Sequence, residues 1–74
     1  MYKYLFSCFD YDYSSYTLLH SNKYTHSDIA GHYTAASDES GDEEFGRVID
    51  TMRNMFGYEL EETDDDYEAT FRVD

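Results

Sequence analysis

Apolar and polar positions alternate with two different periods along this chain, and these periods predict six elements. Residues 2–13 carry aromatic, Leu and Cys side chains on both parities, a pattern typical of a long central strand that is covered on both faces for part of its length. A polar turn at residues 12–15 separates this run from a second apolar run at residues 16–20. The beginning of the chain therefore predicts a β-hairpin.

Signals for a first helix follow the hairpin. Thr25 and Asp28 form a capping-box pair, so we expect the helix to start at His26. Gly31 lowers the helix propensity by about 1 kcal/mol relative to Ala, which predicts a short, marginal helix. The polar residues 37–41 predict a linker after it.

The strongest periodic pattern in the chain predicts a second helix. Ser40 and Glu43 form another capping-box pair, and Gly57 is well placed as the C-terminal cap. Between them, apolar residues fall on one helical face; they are Phe45, Val48, Ile49, Met52, Met55 and Phe56.

Alternation with a period of two returns at the end of the chain. Apolar and acidic residues alternate at residues 58–61, apolar and polar residues alternate at residues 67–73, and residues 63–65 predict the turn between them. This is the pattern of a second hairpin with one face in water. The order ββααββ predicts a single α+β domain over residues 1–74, with an antiparallel sheet and two helices on one face.

The negative charge is concentrated in the second half of the chain, and the predicted fold does not require this asymmetry. The chain has 17 acidic residues and only 5 Lys or Arg, a net charge of −12, and residues 38–74 account for −11 of it. Crowded carboxylates repel one another and cost stability, so they serve either solvation or a partner. Such a protein avoids nucleic acid and anionic membranes and is attracted to basic surfaces. An aromatic content of 19% favours a packed fold over disorder.

The single cysteine and the first residues set an expected location. Cys8 alone forms no internal disulfide, which fits a reducing compartment. The apolar run at residues 1–9 is far shorter than a bilayer span and lacks the pattern of a signal peptide. We therefore expect a cytoplasmic protein without a membrane anchor.

Candidate catalytic and metal-binding residues are few. Cys8 lies in a predicted apolar strand, a position typical of a small core residue. Asp28 and His32 lie at i and i+4 and, with His20 or His26, are the best metal-binding set, but the capping box already accounts for Asp28. We predict no catalytic residue, no cofactor and no metal site, and an enzyme or metalloprotein built on the histidines is the weakest alternative.

The remaining acids define a candidate partner-binding surface. In the second helix, Glu43 with Arg47 and Asp50 with Arg53 have the spacing of ion pairs. Acids at alternate strand positions lie about 6.6 Å apart, comparable to phosphates along a nucleic-acid strand. The predicted partner-binding residues, in the linker and the second hairpin, are Asp38, Glu39, Asp42, Tyr58, Glu59, Glu61, Glu62, Asp64, Asp65, Asp66, Tyr67 and Glu68.

In size, single-domain organisation and charge, the chain resembles the small acidic proteins by which phages and mobile elements inhibit host nucleic-acid enzymes. These include anti-CRISPR proteins, uracil-DNA glycosylase inhibitors and anti-restriction proteins. The resemblance implies a non-enzymatic inhibitor, monomeric or homodimeric, that mimics DNA and occupies a basic nucleic-acid-binding surface of a host enzyme or defence complex. It implies no direct contact with nucleic acid.

A second interpretation gives the acids no role beyond solubility. In it the protein is a scaffold or interaction protein that self-associates through its Tyr-rich first hairpin. The tyrosines that favour this alternative are Tyr2, Tyr4, Tyr11, Tyr13 and Tyr16.

Overall fold

The structure, a computed structural model, describes residues 1–9, 13–41, 44–61 and 66–73. Six elements follow one another in the predicted order, which confirms the ββααββ arrangement and the α+β class. They are β1 (Tyr2–Cys8), β2 (Ser14–His20), α1 (His26–Ser40), α2 (Phe45–Phe56), β3 (Glu59–Glu61) and β4 (Ala69–Val73).

The four strands form one sheet in the order β3-β2-β1-β4, with β1 in a central position as predicted. β1 pairs with β2 in antiparallel register and with β4 in parallel register, so the sheet is mixed and the wholly antiparallel prediction is wrong. The predicted β3–β4 hairpin is also wrong, because β3 pairs with β2 at the opposite edge from β4. Alternation specifies which face a side chain occupies but not the neighbouring strand.

Both helices lie on the same face of the sheet, as predicted. α1 covers β4, where the Tyr33 and Phe71 rings are 5.1 Å apart. α2 covers β2, where the Phe45 and Tyr16 rings are 5.5 Å apart. The buried core lies between these layers and includes Tyr4, Phe6, Leu18, Ile29, Val48, Ile49 and Met52.

The first hairpin turns earlier than predicted. β1 ends at Cys8, and β2 begins at Ser14 as its register partner. Phe9 already lies outside the strand, half exposed, with its ring 4.6 Å from that of Tyr13 and 4.1 Å from the Arg72 guanidinium. The predicted strand continued to residue 13, but residues 10–12 lie outside the described residues, and Tyr13 is not part of a strand.

α1 confirms the predicted start but not the predicted end. The Asp28 backbone N–H donates to the Thr25 hydroxyl, and the Thr25 N–H donates to the Asp28 carboxylate, completing the capping box. The helix then continues through the predicted linker to Ser40. It ends where Gly41 adopts a left-handed conformation (φ 63°) and donates its N–H to the Ser37 carbonyl. Gly41 is a helix cap rather than part of a flexible linker.

α2 begins at Phe45, after Glu44 at the cap position, without a side-chain capping bond. The predicted capping box from Ser40 is wrong, because Ser40 belongs to α1 and donates its hydroxyl to the Ser37 carbonyl; Glu43 lies outside the described residues. Four residues of the apolar stripe are buried as predicted, whereas Phe56 is partly buried and Met55 is 43% exposed.

Gly57 closes α2 in a left-handed conformation (φ 78°), which confirms its predicted role. We expect Gly57→Ala to reduce the free energy of unfolding by about 1–2 kcal/mol, because a Cβ is disfavoured at this φ. Gly31→Ala is the matched control: it lies in open space within α1, and a gain of about 1 kcal/mol is expected. Urea denaturation measures both changes, and equal stability of the two variants would contradict the assignment.

Candidate functional site

The structure divides the predicted acidic patch between two edges of the sheet. Glu59 and Glu61 lie on β3 at one edge, whereas Asp66, Tyr67 and Glu68 lead into β4 at the other. A single patch built on a β3–β4 hairpin is therefore wrong. Four of the predicted binding residues lie outside the described residues; they are Asp42, Glu62, Asp64 and Asp65.

Tyr58 is a core residue, so its prediction as an exposed binding residue is wrong. It is 3% exposed, and its ring makes edge contacts with those of Tyr4 and Phe6. Burial raises the pKa of its phenol well above the ordinary value. The alternation at residues 58–61 correctly placed Tyr58 on the buried face, but Leu60, predicted on the same face, is 46% exposed.

The residues before β4 are used in contacts within the protein. The Tyr67 hydroxyl lies 3.4 Å from that of Thr17 on β2. Glu68, predicted to be unpaired, is 3.7 Å from the Lys23 ammonium and donates its backbone N–H to the Lys3 carbonyl. This edge is therefore less available to a partner than the sequence predicts.

The opposite edge carries two acids on β3, the exposed Glu59 and the partly buried Glu61, and we call these two residues the acidic edge. Glu44 and Asp50 border an open groove of about 590 Å³ between α2 and Tyr16. Gly46 allows the Tyr16 hydroxyl to approach α2 closely, since a Cβ there would lie 3.3 Å from it. Glu59 and Glu61 pair with Leu19 and Thr17, which places them on the face of the sheet away from the helices and from this groove. Of these acids, Asp50 forms the predicted pair with Arg53 at 3.5 Å.

Asp38 and Glu39 are exposed in the last turn of α1, not in a linker. The C-terminal end of a helix carries partial negative charge, so acids are disfavoured there, and α1 has no basic residue in its last turn to compensate. α2 shows the opposite arrangement, with Arg53 in its last turn. The two acids of α1 therefore occupy positions where they reduce stability.

We expect Asp38→Asn and Glu39→Gln each to stabilise the protein by about 0.3–1 kcal/mol at low ionic strength. Asp28→Asn is the control at the other end of α1, where hydrogen bonds to Thr25 hold the pKa of the carboxyl below its ordinary value; this change is expected to destabilise. Thermal unfolding at low and high salt tests the assignment. A gain that persists undiminished at high salt would contradict a dipole effect.

The candidate chemical residues all have structural roles. Cys8 is buried, which confirms its interpretation as a core residue. His26 Nδ1 lies 2.7 Å from the Thr70 carbonyl and holds α1 against β4. His20 and His32 lie elsewhere, around Tyr58. Across the described part of the chain, no three His, Cys, Asp or Glu side chains come together to hold a metal ion.

Sequence reasoning missed the cluster that surrounds Phe56 and Tyr58. His20 Nε2 lies 2.7 Å from the Phe56 carbonyl, and His32 Nδ1 lies 2.8 Å from the Tyr58 hydroxyl. Tyr24 completes the cluster, with its ring 4.6 Å from that of His32. Burial lowers the pKa of His32, although nearby Asp28 opposes the shift. No local pattern signals this cluster, because its members come from distant segments.

The tyrosines of the first hairpin divide between core and surface. Tyr4 is fully buried and Tyr16 packs on Phe45, so these two contribute to the core rather than to an interface. Tyr2 and Tyr13 are exposed, Tyr13 by 58%. Tyr11 lies outside the described residues.

None of the helices in the described ranges is long and apolar enough to cross a membrane. The chain matches no protein-family model, and no curated protein or solved structure is significantly similar to it.

Proposed function

We propose that this is a non-enzymatic acidic binding protein of the cytoplasm that inhibits a host enzyme or defence complex by occupying its basic, nucleic-acid-binding surface. The observation that carries the proposal is the placement of Asp38 and Glu39 at the C-terminal end of α1, where they cost stability. Acids needed only for solubility do not require such positions. Their retention there is more easily explained by a partner than by the fold.

The acidic edge supports the same function through its spacing. Glu59 and Glu61 are alternate residues of β3, so their Cα atoms lie about 6.6 Å apart on one side of the strand. A basic surface that neutralises successive phosphates recognises such a row of negative charges. Glu44 and Asp50 add separate negative charge at α2, beside an open groove that Arg47 also lines. A basic channel that binds a nucleic-acid backbone is complementary to this arrangement.

The proposal requires strongly salt-dependent association. With a net charge of −12, the protein is steered towards a basic partner over a distance that salt shortens. Proteins captured from an extract of the host cell are to be purified individually, and the association rate of each measured at about 0.05 M and 0.3 M salt. We expect the true partner to bind at least about tenfold more slowly at the higher salt. An unchanged rate would contradict the proposal.

Self-association remains the second candidate function, favoured by two exposed aromatic residues. Phe9 and Tyr13 contact each other at one end of the sheet and are 44% and 58% exposed. Sedimentation tests this candidate: a dimer that dissociates in Tyr13→Ser would support it, and a monomer at high concentration would exclude it.

A further inference from the structure

Two histidines hold the short link between α2 and β3. His20, at the end of β2, contacts the Phe56 carbonyl through Nε2 at 2.7 Å. His32, on α1, contacts the Tyr58 hydroxyl through Nδ1 at 2.8 Å, and its ring stacks on that of Phe56 at 4.1 Å and 18°. Phe56 and Tyr58 are therefore held from two different elements, on either side of Gly57.

The hydrogen bonds of His20 define its tautomer. Its Nδ1 lies 3.0 Å from the backbone N–H of Asn22, which can only donate. Nδ1 must therefore accept and carry no proton, so Nε2 carries the proton and donates it to the Phe56 carbonyl. That carbonyl lies at the end of α2, where carbonyl groups lack a partner within the helix. The neutral ring joins two backbone segments only in this form.

A second proton on His20 breaks this arrangement. It would occupy Nδ1, and two N–H groups would then face each other where His20 and Asn22 now form a hydrogen bond. Protonation of His32 is also unfavourable in the folded protein, since burial lowers its pKa and disfavours its charged form. Positive charge on His20 also lowers the pKa of His32.

One neighbouring charge opposes the lowering of the His32 pKa. Asp28 on α1 favours the charged form of His32, but burial is the larger influence. The other titratable side chains whose rings pack on the pair are Tyr24 and Tyr58, with Tyr4 beyond them. Burial raises the pKa of Tyr4 and Tyr58, so both stay neutral in the range where histidines titrate.

We propose that His20 and His32 form a pH-sensitive clasp that keeps the link between α2 and β3, and with it β3 itself, in place at neutral pH and releases it on acidification. β3 is a three-residue strand at the edge of the sheet, where β2 is its strand partner. Release would displace Glu59 and Glu61. The resulting loss of partner binding rests on the proposed function, whereas the clasp does not.

The sign of the pH dependence follows from His32. Its folded-state pKa is below the ordinary value of 6.5, so the unfolded chain takes up the proton more readily. The contribution of neutral His32 to stability is therefore complete above this value and is lost as the pH falls below it. Acidification through the histidine range weakens the clasp.

Amide hydrogen exchange tests the clasp without any partner. Corrected for intrinsic rates, the protection of β3 amides relative to β1 amides is expected to fall at least about tenfold between about pH 7.5 and 5.5. In His20→Gln, which keeps a donor for the Phe56 carbonyl but does not titrate, only the contribution of His32 remains, so the relative fall is expected to be clearly smaller than in the wild type. An unchanged ratio in the wild type, or an equal loss in the variant, would overturn the proposal.

Histidine nitrogen chemical shifts provide a measurement that needs no variant. At neutral pH they are expected to show His20 protonated on Nε2 alone, and its protonation on Nδ1 should coincide with the loss of β3 protection. A His20 that is protonated on Nδ1 at neutral pH would also overturn the clasp. Neither measurement involves partner binding, so a failed clasp and a failed binding function are distinguishable.

Discussion

Replacing Tyr58 by alanine is expected to leave most of the protein unfolded at room temperature. The ring is almost fully buried and lies 6.2 Å from Tyr4, 6.1 Å from Phe6 and 5.1 Å from His20. Truncating such an aromatic side chain to alanine costs about 3–5 kcal/mol. A domain of 74 residues has a net stability of about the same size. Circular dichroism and urea denaturation provide the measurement.

The matched variant Tyr58→Phe separates packing from hydrogen bonding. It keeps the ring but removes the hydroxyl that contacts His32, so a loss of about 1 kcal/mol is expected. A large loss of stability in Tyr58→Ala and a small loss in Tyr58→Phe would identify Tyr58 as a core residue rather than an interface residue. A Tyr58→Ala protein that is folded, stable and defective only in partner binding would contradict the core assignment.

Reversing the charges of Glu59 and Glu61 is expected to reduce partner affinity at least about hundredfold, because repulsion replaces attraction at the acidic edge. Both residues lie on an edge strand outside the buried core, so Glu59→Lys/Glu61→Lys should remain folded. Calorimetry with the purified partner measures the loss.

Asp66→Lys/Glu68→Lys is the control for net charge. It changes the charge of the protein by the same amount but lies at the opposite edge of the sheet. We expect its affinity to fall less than about tenfold, through weaker long-range steering alone. If both double variants lost affinity equally, net charge rather than the acidic edge would account for binding.

The sequence predicts those elements whose signals are local. Thr25 and Asp28 place the start of α1 because both members of the capping box lie within one turn. The stripe from Phe45 predicts α2 because helix periodicity is contained in the segment itself. The end of α1 could not be predicted, since a glycine such as Gly41 occurs both in helix caps and in linkers. Strand partners are set by long-range pairing, so the position of β3 beside β2 had no local signal.

The candidate site was partly predictable for the same reason. Alternation correctly indicated Glu59 as solvent-facing and Tyr58 as buried, but Leu60 is 46% exposed and Glu61 is partly buried. The partners of Tyr58 are Tyr4, His20 and His32, which come from three other segments. No local pattern around residue 58 indicates those partners, so the histidine clasp was missed.

Competition with nucleic acid tests the proposed function most directly. A purified partner is loaded with a fluorescent nucleic acid, and this protein is titrated in while the anisotropy of the label is followed. We predict complete displacement at about one molecule of this protein per binding site, with Asp66→Lys/Glu68→Lys still active and Glu59→Lys/Glu61→Lys inactive. A partner that binds this protein and its nucleic acid at the same time would contradict the proposed function.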